Sequence, residues 1–167
     1  INSVSNITKH SFELNEFIEG SSSLLISNND EVEDASMFAL ERHLEDFLVE
    51  NWENTELAKK FDIYQDEEVF GQQFQTDTGP IDILAISKDK KELLVIELKK
   101  GKASDTVVGQ IQRYMGYIKN EFLEEGQIVK GAIIALEDSL KIKRALSVTS
   151  DIDFYRYKVN FELISSD

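Results

Sequence analysis

The chain has no cysteine among its 167 residues, which excludes disulfide bonds and cysteine-based zinc sites. Only two histidines occur, His10 and His43, and no Ser-His-Asp or Cys-His arrangement for nucleophilic catalysis is visible. No stretch approaches about 18 uninterrupted apolar residues, so no membrane span is expected. The first residues lack a signal-peptide pattern. These absences fit a cytoplasmic protein, and the initial Ile1 suggests a processed or excised piece.

Positive charge is also scarce, because 18 basic residues face 32 acidic ones and the net charge is −14. This argues against a general nucleic-acid binder, which usually carries a basic surface. The deficit is uneven: residues 1–68 hold four Lys/Arg and 17 Asp/Glu, whereas residues 69–167 hold 14 and 15. Around residues 88–102 basic side chains form a local basic strip. This strip could bind a polyanion, or it could simply be a solvated turn. Its members are Lys88, Lys90, Lys91, Lys99, Lys100 and Lys102.

The order of periodic segments predicts an α/β domain with one mixed β-sheet flanked by helices. Residues 1–36 are expected to form a peripheral arm or hairpin, and residues 37–167 the domain itself. The expected helices cover 34–52, 106–122 and 140–147, with a connector over 53–65 that holds a short helix near 57–61. The expected strands cover 69–76, 81–87, 93–99, 129–136 and 153–164, with turns at 78–80 and 88–91.

The polar residues that stand out lie in the stretch from Gly79 to Tyr117. Glu97 and Lys99 are two residues apart on an otherwise apolar strand, so their side chains project to the same face. Asp82 lies at the start of the preceding strand, which in an antiparallel hairpin lies beside the end of the next. Counted from the turn, Asp82 and Glu97 fall at comparable depths and are expected to converge.

This arrangement predicts a site for a hard divalent cation and a phosphodiester. Two carboxylates, the Leu98 backbone carbonyl and waters form an oxygen-rich set of the kind that binds Mg²⁺. Lys99 would orient the attacking water or stabilise developing charge. The tripeptide E-x-K alone is common and typical of a surface salt bridge. The joint pattern of Asp82, a short hairpin, Glu97-Leu98-Lys99 and a following helix favours the catalytic interpretation.

The stretches PIDILAI and LLVIELKKGKASDTVVGQIQRYMGYI resemble the PD-(D/E)XK nuclease superfamily, and most closely the catalytic domain of NucS/EndoMS-type DNA endonucleases. The resemblance covers about residues 37–136 and implies a restriction-endonuclease-like core. By position, Pro80 and Asp82 match the P-D element, loosened to P-I-D. Glu97 and Lys99 match E-x-K, and Gln110 and Tyr114 match the Q-x-x-x-Y signature on the following helix. Without the resemblance, Tyr114 would be core and Gln110 solvated.

The helix written ALERHLEDFLVEN resembles the first helix of that family, whose glutamate approaches the metal. Glu41 or Glu45 would fill this role. Glu41 is favoured because it is expected to lie nearer the buried stripe of the helix, with Glu45 further round.

The resemblance implies a Mg²⁺- or Mn²⁺-dependent deoxyribonuclease that acts on DNA in prokaryotic repair or defence. NucS-type enzymes also carry a separate N-terminal domain for DNA binding and dimerisation, so a homodimer or an additional DNA-binding domain is expected. Two alternatives stay open. One is a catalytically inactive module of the same fold within a larger assembly. The other is an interaction domain whose acidic N-terminal part mimics DNA or binds a basic partner.

Overall fold

A computed structural model describes residues 30–158 and residue 165, with side chains from residue 40 onward. The long helix α1 (Asp30–Glu50) precedes short 3₁₀ helices at Trp52–Asn54 and Leu57–Lys59. The remaining elements are β1 (Phe61–Ile63), β2 (Gln72–Thr76), β3 (Gly79–Ser87), β4 (Glu92–Lys102), α2 (Thr106–Tyr117), a π-helical turn (Ile118–Phe122), β5 (Ile128–Glu137), α3 (Leu140–Leu146) and β6 (Ile152–Arg156).

The described strands form a six-stranded mixed sheet in the order β1-β3-β4-β5-β6, with β2 paired to the other half of β3. Strands β1, β2 and β4 run antiparallel to β3, whereas β4, β5 and β6 run parallel to one another. Parallel neighbours need crossover connections, and α2 and α3 supply them. The predicted mixed sheet with flanking helices is confirmed.

The sheet is covered on both faces, and the alternation of side chains along β4 divides the core in two. Leu93 and Val95 pack with α2, whereas Leu94, Ile96 and Leu98 pack on the side of α1. This explains the continuous apolar run of β4, because a strand covered on both faces has no solvent side. Polar side chains at the carboxyl end of this central strand therefore border the hydrophobic core.

Several predicted boundaries are wrong. Helix α1 begins at Asp30, four residues before its expected start at residue 34, and ends at Glu50, two residues before its expected end. The predicted strand 69–76 begins only at Gln72, because Val69 and Phe70 belong to a turn in which Phe70 bridges to Gln65. Strand β1 was missed inside the expected connector, since three residues are too few to show an alternating pattern.

Two further expectations concern chain ends. The short strands expected within residues 1–34 fall largely on residues 1–29, outside the described part. The last strand was expected over 153–164 and is described as β6, ending at Arg156, with residues 159–164 outside the described part. No helix in the described ranges is long and apolar enough to cross a membrane.

Candidate active site at the carboxyl end of β4

The hairpin of β3 and β4 brings Asp82 and Glu97 to the same level. Their ladder includes Ile83↔Ile96, and the next residue outward on each strand is Asp82 or Glu97. Here β3 departs from regular alternation, since Ile81 and Leu84 pack into the same side of the core although they are three residues apart. At this irregularity the Leu98 backbone N–H donates to Oδ2 of Asp82 at 2.7 Å.

Glu97 is a buried carboxylate with only 1% of its surface exposed. Neither of its oxygens has a hydrogen-bond partner among the described residues. Burial, followed by the negative charge of Asp82, raises the pKa of Glu97 to about 8, although Lys99 acts in the opposite direction. A buried carboxylate without partners is costly, so this position is suited to a cation or a proton.

Burial also raises the pKa of Asp82, by a smaller amount than that of Glu97. The pKa of Asp82 rises to about 6, and the charge of Glu41 adds to the effect. The hydrogen bond from Leu98 and the positive charge of Lys99 oppose the rise. Two neighbouring carboxyl groups with raised pKa values in one buried corner are typical of functional sites.

Lys99 lies at the rim of this corner and faces a carboxylate of the first helix. Its Nζ atom lies 3.5 Å from Oε2 of Glu41, and about a quarter of each side chain is exposed. The register between β4 and β5 shifts immediately after Lys99, where β4 contains one extra residue before Lys102. Such a bulge redirects the neighbouring side chains.

Glu45, not Glu41, is the buried carboxylate of α1, which corrects the expected order of burial. Glu45 is 2% exposed, whereas the Glu41 side chain is 26% exposed. Gln73 donates its side-chain amide to Oε2 of Glu45, and Oε1 has no partner among the described residues. Burial is the main cause that raises the pKa of Glu45, and the charge of Asp82 contributes. The helical periodicity did not predict the burial of Glu45, because its partner Gln73, with φ of 51°, reaches α1 from an irregular strand.

The predicted Q-x-x-x-Y pair lies on α2. Tyr114 is part of the core with 4% exposed, and Gln110 is half-buried one turn earlier. The Tyr114 hydroxyl approaches Gly79 so closely that a Cβ there would lie 3.2 Å from it. Arg113, which the motif did not single out, contributes a positive charge that lowers the pKa of Glu97.

The donor set fits a hard divalent cation chemically. Asp82, Glu97 and the carbonyl of Leu98 offer oxygen ligands, and a cation or a proton would satisfy the two oxygens of Glu97 that have no partner among the described residues. Among the described residues, no group of three or more His, Cys, Asp or Glu side chains is arranged to hold a metal ion. The predicted site contains only two such side chains, so a backbone carbonyl and waters would complete it.

Comparison with known proteins identifies the family. Residues 40–159 match the model of the Endonuclease NucS C-terminal domain, well over half of the chain. This chain belongs to the NucS C-terminal domain family. The Endonuclease NucS of Methanocaldococcus jannaschii is 34% identical over 64 residues, which is 38% of this chain and 23% of that protein.

Solved structures show the same fold for this NucS-type domain. The crystal structure of a repair endonuclease from Pyrococcus abyssi matches with a TM-score of 0.55 at 22% identity, over 70% of this chain and 46% of the other. An EndoMS–dsDNA complex matches with a TM-score of 0.56 at 22% identity, over 71% and 44%. The chain therefore spans less than half the length of these relatives.

Proposed function

We propose that this NucS-type domain is the catalytic part of a divalent-metal-dependent DNA endonuclease that acts on double-stranded DNA in repair. The observation that carries the proposal is the buried Glu97 carboxylate, whose two oxygens have no partner among the described residues, beside Asp82 and Lys99. The family model and the relatives described as a repair endonuclease and a DNA complex support the reaction class and the substrate. The proposed unit covers residues 37–167.

In the proposed mechanism, Asp82, Glu97 and the Leu98 carbonyl would hold Mg²⁺ or Mn²⁺. A divalent cation in such a site lowers the pKa of bound water and offsets charge on the phosphoryl oxygens. Lys99 orients the water or stabilises the charge that develops on the phosphate. The Leu98 N–H holds Asp82 in place, so the first carboxylate is oriented before substrate arrives.

Supporting roles are proposed for the residues around this centre. Glu45 or Glu41 supplies negative charge from α1, and Gln110 and Tyr114 border the site from α2. The excess of acidic residues within 1–68, 17 Asp/Glu against four Lys/Arg, is unsuited to binding a DNA backbone. Substrate contact would therefore come from the basic side around Lys99 and Lys102, together with a further DNA-binding domain or a second copy of the chain.

The test is cleavage of linear, nicked, branched, mismatched and single-stranded DNA with Mg²⁺, with Mn²⁺ and with chelator. Wild type would be compared with Asp82→Asn, Glu97→Gln and Lys99→Met, and we expect each variant to lose at least about 100-fold in rate. Lys59→Met is the matched control, because Lys59 is exposed, lies outside the basic strip and pairs with Glu56 at 3.3 Å. Cleavage in chelator, or full activity of Lys99→Met, contradicts the proposal.

A second candidate is an inactive module of the same fold. It is favoured by the ion pair between Lys99 and Glu41, because a lysine that already pairs with a carboxylate is less available to stabilise charge on a phosphate. Titration of Mn²⁺ into wild type and into Glu97→Gln separates the two. Binding to wild type alone supports a metal centre, whereas DNA binding with neither metal binding nor cleavage supports the inactive module.

A further inference from the structure

The end of β4 contains an irregularity directly beside Lys99. The parallel ladder with β5 pairs Lys99↔Ala135 and next pairs Lys102↔Glu137, so β4 takes three steps where β5 takes two. The extra residue of such a bulge is unpaired in the ladder, and the strand bends at that point. The direction in which Lys99 leaves the strand therefore depends on what holds the bulge.

Tyr157 contacts both strands at this level. Its hydroxyl donates to the carbonyl of Lys100 at 2.5 Å. Its backbone N–H donates to the carbonyl of Ala135, the residue in register with Lys99, at 3.1 Å. One residue just past the end of β6 thus fixes β5 through its main chain and β4 through its side chain.

We propose that Tyr157 is a positioning residue for Lys99, because its hydroxyl anchors the Lys100 carbonyl inside the β4 bulge. This inference rests on the proposed function for its effect on catalysis, whereas the anchoring itself is a property of the folded chain. Lys99 would be held between two constraints: the anchored peptide that follows it and the Glu41 carboxylate that faces it.

The surroundings of Tyr157 suit an anchor. The ring is partly buried and packs on the α1 side of the core, which restricts its rotation. Burial and the negative charge of Glu41 raise the pKa of Tyr157 to about 12, so the hydroxyl keeps its proton and remains a donor near neutral pH. The influence of Glu41 also places Tyr157 in the same electrostatic environment as Lys99.

The test compares Tyr157→Phe with Tyr155→Phe. Tyr155 is the matched control because it packs on the same side of the core and pairs with Ile134 in the ladder of β5. We expect Tyr157→Phe to lower kcat at saturating DNA about tenfold or more, because small misplacements of catalytic groups carry such costs, while KM changes less than about twofold. In a Lys99→Met background, Tyr157→Phe should have no further effect, since it acts through Lys99.

A readout independent of cleavage keeps the two proposals separable. Backbone amides of residues 100–102 should exchange faster in Tyr157→Phe, and the ¹³C resonance of reductively methylated Lys99, assigned by its loss in Lys99→Met, should shift. Neither change should occur in Tyr155→Phe. An unchanged resonance and unchanged exchange overturn the proposal, as does equal loss of kcat in both tyrosine variants. If wild type cleaves nothing, the proposed function fails and these two spectroscopic comparisons decide the positioning role.

Discussion

The backbone N–H of Leu98 donates to Oδ2 of Asp82 at 2.7 Å, so a side-chain carboxylate takes the place of a strand carbonyl. This occurs just beyond the pair Ile83↔Ile96, where β3 loses its regular alternation. The same bond satisfies an amide of a buried strand and orients a carboxylate of the candidate metal site. Asp82 therefore has a structural role and a chemical role, and suitable variants separate them.

The structural role predicts different stabilities for Asp82→Ala and Asp82→Asn. Alanine leaves the Leu98 amide without its acceptor, whereas asparagine retains an oxygen acceptor. Because both variants remove the ionisable carboxyl group, the comparison between them isolates this bond, and we expect alanine to have a free energy of unfolding ~1–3 kcal/mol lower than asparagine at pH 5. Urea denaturation measures both values. Both variants should lose DNA cleavage, and equal stability of the two would show that the Leu98 bond contributes little.

The burial of Glu97 predicts that the metal-free protein becomes less stable as the pH rises. Its pKa is about 8 in the folded protein, above the ordinary value of 4.5. Between these values the folded state holds a proton that the unfolded state has lost, so the free energy of unfolding falls with pH. Asp82, with a pKa of about 6 in place of 3.8, adds a loss in the lower part of this window.

Glu97→Gln should remove most of this pH dependence. We expect its Tm to exceed that of metal-free wild type by about 5 °C at pH 8.5, and to differ little at pH 4.5. Mg²⁺ at pH 8.5 should raise the Tm of wild type and leave the variant unchanged, since binding to the folded state alone stabilises it. A wild type that is most stable at pH 8.5 without metal would contradict the cost of ionising this buried carboxyl group.

Counting residues was enough to predict that Asp82 and Glu97 lie at the same level of the sheet. The apolar run of β4 indicated a strand covered on both faces, and the distance of Asp82 and Glu97 from the turn placed them side by side. Both inferences use regular strand geometry, in which register and alternation follow from the sequence. The structure keeps that geometry as far as the pair Ile83↔Ile96.

Contacts that depend on irregular backbone were not predictable in the same way. Gln73 reaches Glu45 from a left-handed conformation that an alternating strand pattern does not indicate. Tyr157 reaches Lys100 at the point where β4 contains an extra residue, which the apolar pattern of the strand does not indicate. Tertiary packing decides where a bulge forms, so these partners became visible only in three dimensions.

Gly79 permits the close approach of α2 to the start of β3. Its φ of 125° lies in a region that side chains rarely adopt, and an added Cβ would lie 3.2 Å from the Tyr114 hydroxyl. We expect Gly79→Ala to lower the free energy of unfolding by ~1–3 kcal/mol. Adding Tyr114→Phe to Gly79→Ala should recover only the part of this loss that comes from the contact between the new Cβ and the Tyr114 hydroxyl. Gly126→Ala, at φ of 85° in open space, is the control for backbone strain alone.

The two carboxylates of α1 should contribute unequally to cleavage. Glu45 is buried, has one oxygen without a partner among the described residues and is influenced by the charge of Asp82. Glu41 is more exposed and already neutralised by Lys99. We expect Glu45→Gln to lower kcat by about 10–100-fold, as for groups that support a metal centre, and Glu41→Gln by less than about threefold.

The comparison of these two variants needs a control for folding, because Glu45 also accepts a hydrogen bond from Gln73. Glutamine retains an oxygen acceptor for that amide, so the Tm of Glu45→Gln should not fall below that of wild type at pH 8. A larger kcat loss in Glu41→Gln would instead assign the supporting role to the carboxylate that faces Lys99. In that case the ion pair at the rim, and not the buried carboxylate behind it, would set the charge that the reacting phosphate meets.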